Sequence, residues 1–153
     1  MGNPLSSSSQ KALIRAKLKP GSIIHIHCDF ISNPKPKFCV IAHIDFEEDF
    51  VFIFLINSNI VPFIQNNPDM NRCQVKLSNS EYKFFSNPVS YLNCAQLYDE
   101  LDLEYLIEHL LKFPTDYKGA LLDKEIEEIL QIVYGTNMIG EFDKNLIINS
   151  LGE

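Results

Sequence analysis

FCVIAHIDFEEDFVFIFLIN, residues 38–57, decides the architecture. Two apolar runs of strand length, 38–44 and 50–56, are separated by the acidic turn of residues 45–49. So short a connection joins antiparallel neighbours, because parallel strands need a crossover of a dozen residues or more. The second run, Phe50-Val51-Phe52-Ile53-Phe54-Leu55-Ile56, has no polar residue on either side of the pleat. A strand of that kind is covered on both faces and lies in the middle of a sheet.

The reading extends outward from this hairpin. Upstream, residues 23–30 alternate, with Ile24, Ile26, Cys28 and Phe30 on one face and Ile23, His25, His27 and Asp29 on the other. Downstream, a polar loop over 57–71 holds Pro62 and Pro68. Residues 73–77 form a fourth strand, 78–88 a connector and 89–95 a fifth strand. The period then becomes helical. Leu103, Leu106, Ile107, Leu110 and Leu111 line one helix, and Ile126, Ile129, Leu130 and Val133 a second. Asp102 and Asp123 are the expected caps, and Gly135 the stop. Before the first strand, Ser7 with Gln10 suggests a capping box, Ala12, Leu13 and Ala16 line a short helix, and Lys19-Pro20-Gly21 ends it. The expected fold is mainly β with helices: a small five-stranded barrel followed by two amphipathic helices, with an extra N-terminal helix. It forms one domain, divided into a helical extension (1–18), barrel (19–97), helices (98–135) and tail (136–153). Met138, Ile139, Leu146, Ile147 and Ile148 give the tail enough apolar surface to pack.

Hydrophobic residues make up 46% of the 153 and charged residues 22%, an ordinary globular balance. No run approaches the roughly 18 apolar residues of a membrane span. The first residues lack a basic region followed by an apolar core, so no secretory signal is read there. Met1-Gly2 with Ser6 fits the N-myristoylation pattern, which is too short to carry weight. Four widely spaced cysteines with no CxxC pair read as reduced, buried thiols, and the expected compartment is the cytoplasm. The formal charge of −7 is unevenly placed: residues 1–90 carry a net +2 and residues 91–153 a net −9. An acidic total therefore does not exclude a polyanionic partner for the first part.

Several pieces in order resemble one family. LKPGSIIHIHCDF, PKPKFCVIAHI and FIFLINSNI are similar to the first three strands of the PemK/MazF family of toxin proteins. CQVKLSNSEYKFFSNPVSYLNCAQL looks like that family's fourth strand, helical turn and fifth strand, and DKEIEEILQIV like its closing helix. The resemblance runs over residues 18–133. It implies an SH3-like barrel, a homodimer, metal-independent endoribonuclease activity on single-stranded RNA, no cofactor, and silencing by a cognate antitoxin protein. The family's arginine position falls on Lys37 or Lys35, and the proline after it is Phe38 here. The family's Thr/Ser position falls on Asn57, followed by Ser58. The implied catalytic set is Lys37, Asn57 and Ser58, with Lys35, Arg72, Lys76 and Lys83 as RNA-binding cations. A lysine neutralises phosphate as a point charge, without the guanidinium fork.

Other readings compete. A non-catalytic barrel that binds a protein or RNA shares the same layout. His25, His27 and Asp29 on one strand face, with His43 on the next strand, have ligand-like spacing; an exposed barrel face is the preferred explanation, and acid–base work by His43 another. His109, among Leu106, Leu110 and Leu111, reads as a boundary residue. The acidic residues of the two helices read as the wet face, or as a surface that repels RNA.

Overall fold

The computed structural model describes residues 6–152; Met1 and Gly2, and with them the myristoylation pattern, lie outside the described residues. Helix α1 (Ser7–Lys17) leads into strands β1 (Ser22–Cys28), β2 (Lys35–Asp45) and β3 (Phe50–Asn57). Two single turns, α2 (Pro62–Gln65) and α3 (Pro68–Asn71), precede β4 (Gln74–Ser78) and β5 (Val89–Tyr98). Then come α4 (Leu103–Lys112), a 3-10 turn (Pro114–Asp116), β6 (Tyr117–Ala120), α5 (Asp123–Gly135) and α6 (Glu141–Leu151).

The sheet is antiparallel in the order β4-β5-β3-β2-β1-β6, curled into a half-barrel. Register shifts at Ile23/Ile24, Ile41/His43 and Ile53/Leu55 break the ladder. Such bulges increase local twist and bend the strand, which curls the sheet. The 38–57 hairpin forms as expected: Asp45 Oδ1 accepts from the backbone N–H of Glu47 and Glu48, both at 3.0 Å, and Asp49 closes the turn at φ 57°. Both short helices begin with proline, whose missing N–H costs nothing in a first turn.

β3 is central and apolar on both faces because the sheet separates two cores. Ile23, Val40, Ala42, Phe52, Phe54 and Ile56 face one of them, which α5 and α6 close with Ile129, Val133, Ile147 and Leu151. Ile24, Ile26, Cys39, Ile41, Val51, Ile53 and Leu55 face the other, closed by Leu103, Leu106, Ile107 and Leu110 of α4.

Four details differ from the sequence reading. The cap of α5 is Leu122, with no side-chain hydrogen bond, and the expected cap Asp123 lies in the first turn, where its charge suits the helix N-terminus. The cap of α1 is Ser6, whose Oγ accepts from Ser9 N at 3.2 Å, one residue before the expected Ser7. The sheet has a sixth strand, β6, where a plain connection was expected. Its YKGA sequence has no alternation to read, and it is a strand because it pairs with the edge of β1. Residues 136–153, read as a tail, contain helix α6, capped by Gly140. Among the described residues no helix is long and apolar enough to cross a membrane.

Candidate nucleic-acid interface

Lys37 opens β2 and Asn57 closes β3. Phe38 pairs with Ile56, so the next residues outward, Lys37 and Asn57, meet across the ladder. Lys37 Nζ donates to Asn57 Oδ1 at 2.5 Å. Beneath this pair lie Cys28 and Cys39, with Sγ atoms 3.9 Å apart. Burial pushes the Cys39 thiol well above its ordinary value, while the hydrogen bond with Cys39 lowers that of Cys28. Burial also holds the Lys37 ammonium below the ordinary lysine value, and the neighbouring charge of Lys35 adds to the shift. No described carboxylate lies within ion-pair distance of Lys37, Lys35 or Lys76, whereas Lys11, Arg15, Arg72 and Lys124 are all ion-paired. A partly desolvated, unpaired cation that already donates to an amide oxygen is suited to receive an anion.

The register carries this end of the sheet further. Asn57 pairs with Tyr91 of β5, and Tyr91 pairs with Lys76 of β4. Cross-strand partners share a face of the sheet. The burial pattern agrees, because Val75, Leu77 and Leu92, which flank Lys76 and Tyr91 in sequence, belong to the opposite core. Lys37, Asn57, Tyr91 and Lys76 thus form one transverse row, with exposed Lys35 at its β2 end and exposed Ser58 just past β3.

The other two expected RNA-binding residues lie elsewhere. Arg72, at the end of α3, is held by Asp69 and lines a cleft of about 440 Å³ with Cys73, Gln131 and Thr136. Lys83 is exposed in the connector between β4 and β5. Its neighbours Phe84 and Phe85 pack on Phe38, on the side of the sheet opposite Lys37.

The expected set of His25, His27, Asp29 and His43 does not come together. His43 Nδ1 bonds Ser150 Oγ of α6, His27 is exposed, and His25 lies 3.8 Å from the carboxylate of Asp116, which His109 Nε2 also meets at 2.8 Å. Among the described residues no three His, Cys, Asp or Glu side chains are placed to hold a metal ion. Sequence reasoning missed Tyr91. Its signal was the alternation of residues 89–95, which sets Tyr91 opposite Leu92. The His25–Asp116–His109 cluster left no signal, since its members come from three separate elements. No family model matches this sequence, and no curated relative matches it significantly.

Proposed function

We propose that this chain is a PemK/MazF-like protein, its curled sheet an SH3-like barrel, that seats a phosphate of single-stranded RNA at Lys37 and cleaves there without a metal. The observation that supports this reading best is the unpaired Lys37 ammonium hydrogen-bonded to Asn57. In the proposed reaction the RNA 2′-oxygen attacks the adjacent phosphorus in line. A 2′,3′-cyclic phosphate forms and the P–O5′ bond breaks. The 2′-hydroxyl proton passes to water, and the leaving 5′-oxygen takes a proton from Lys37, whose lowered pKa eases its release. Lys37 offsets the charge that builds on the phosphorane, while Asn57 and Ser58 orient its oxygens. A homodimer, and a cognate antitoxin that covers the lysines, belong to the same reading.

A second reading, a non-catalytic barrel that binds RNA or protein, is favoured by one observation. Among the described residues no histidine or carboxylate hydrogen-bonds to Lys37 or Asn57, so the pair has no side-chain base beside it. Incubation of mixed single-stranded RNA in EDTA, with Lys35→Ala/Lys37→Ala as control, separates the two. Cleavage by the wild type alone supports the ribonuclease. Retention of uncut RNA by the wild type alone supports the binding module. Neither result in the wild type sinks both forms of the RNA reading and leaves a protein partner.

A further inference from the structure

The row across the sheet holds more than a phosphate site. Its members are cation, amide, aromatic ring and cation, contributed in turn by β2, β3, β5 and β4. Tyr91 is half-buried, and among the described residues it has neither a stacked aromatic neighbour nor a hydrogen-bond partner for its hydroxyl. The phenylalanines of the same region pack on one another on the other side of the sheet, so Tyr91 is not part of that cluster. Lys76 is exposed, and Lys37, Asn57 and Tyr91 each keep part of their surface open to solvent.

Neighbouring strands lie about 4.8 Å apart, so three steps from β2 to β4 place the Lys37 and Lys76 backbones about 14 Å from one another. That separation exceeds one backbone repeat of an extended nucleic-acid strand. Two non-adjacent phosphates can rest on the two lysines while a base between them turns down onto the sheet. Aromatic rings serve single strands in this way because every base has a π-face, whereas cations follow the backbone.

We propose that Tyr91 is a base-stacking platform between two phosphate sites, Lys37 and Lys76, so that a single strand crosses the sheet from β2 toward β4. The proposal rests on the RNA reading above and adds the strand's path and a ring that touches a base. Neither Lys37 alone nor net charge requires such a ring.

The test uses the full chain and three fluorescein-labelled decamers. One is a mixed-sequence 2′-O-methyl RNA, which has no free 2′-hydroxyl to react. The second has the same backbone with every base removed, and the third is the corresponding DNA. Fluorescence anisotropy at several salt concentrations gives Kd, and far-UV circular dichroism confirms that each variant is folded. Lys37→Ala and Lys76→Ala weaken the base-bearing and abasic strands alike, each reducing the slope of log K against log salt by about 0.7. Tyr91→Ala weakens the base-bearing strand about tenfold and leaves the abasic strand unchanged, and Tyr91→Phe binds as the wild type does. Three results overturn the proposal: Tyr91→Ala binding base-bearing RNA like the wild type, an equal loss for the abasic strand, or Lys76→Ala leaving the salt slope unchanged. Each of these leaves the Lys37 site standing if Lys37→Ala still weakens binding. Wild-type protein that binds none of the strands overturns the underlying RNA reading as well. DNA bound more tightly than RNA overturns RNA as the occupant.

Discussion

Lys37→Met separates a functional lysine from a structural one. Lys37 is partly buried, its backbone carbonyl accepts from Cys39 Sγ at 3.6 Å, and Met reproduces the volume of its stem without the ammonium. If the Lys37–Asn57 bond is chiefly structural, its loss removes a charge-assisted hydrogen bond of about 1.5–3 kcal/mol. At about 2–4 °C per kcal/mol for a chain of this size, Tm would then fall by about 3–12 °C. The geometry favours the opposite result. The ammonium is held below its ordinary pKa by burial and by Lys35, so the folded state disfavours its charge. Asn57 is only partly buried, so water can replace the lost donor. Lys37 is itself only partly buried and solvent screens its charge, so the relief on removing it is small. We expect Tm to stay within about 2 °C of wild type or to rise. RNA affinity behaves differently. Losing one phosphate contact with a salt slope of about 0.7 weakens binding about fivefold at 0.1 M salt relative to the 1 M reference. Thermal melting and salt-dependent anisotropy on the same preparation check both parts. A Tm lower by about 4 °C or more, with RNA affinity unchanged, would refute the reasoning and make the pair a structural clasp.

Three further outcomes follow from contacts away from the row. Tyr82 donates to the buried carboxylate of Glu125 at 2.6 Å and accepts from Leu122 N at 2.9 Å, so Tyr82→Phe strands both groups. It should cost about 2–3 kcal/mol, read as a clear loss in chemical denaturation; an unchanged midpoint would show that water replaces the hydroxyl. Burial holds His25 and His43 below their ordinary pKa, so below that value the unfolded chain binds the extra protons. Stability is therefore gained as pH rises through the window below about 6.5 and lost on acidification. Melting at pH 7 and pH 5 should show the loss, and His43→Gln should reduce it; a wild-type Tm that rises on acidification would contradict the assignment. Helix α1 has no fully buried residue and is tied to α4 by Lys11 and Arg15 on Glu104, at 2.9 and 3.4 Å. Glu104→Gln, or high salt, should speed tryptic cleavage after Arg15 or Lys17 at the end of α1, and a salt-independent rate would show that apolar contacts hold the helix.

The hairpin, the central strand and the two amphipathic helices were legible because each rests on local periodicity that burial enforces. The all-apolar 50–56 run announced a strand between two cores, and Leu103 to Leu110 and Ile129 to Val133 closed one core each. β6 was not legible, because four residues become a strand only when the edge of β1 lies beside them. Lys37 and Asn57 are twenty residues apart in sequence, yet the hairpin register alone brings them together. Tyr91 and Lys76 needed the non-sequential order β3-β5-β4, which no local pattern specifies.

That topology also accounts for a cationic row on a chain of net charge −7. The surplus of acid lies in residues 91–153, which supply α4, α5 and α6. Lys35, Lys37 and Lys76 come from β2 and β4, in the less acidic first part of the chain. Salt screens charges beyond about 8–10 Å, so a polyanion at the row responds mainly to the lysines beside it. The acidic helices act at longer range, where their field is weakest at high salt and strongest at low salt. On the proposed reading, a strand meets repulsion over the acidic helices α4 and α5 and attraction at the lysines of the row. If RNA is the partner, the acidic helices disfavour binding over their own surface and the row is where a strand is expected to seat.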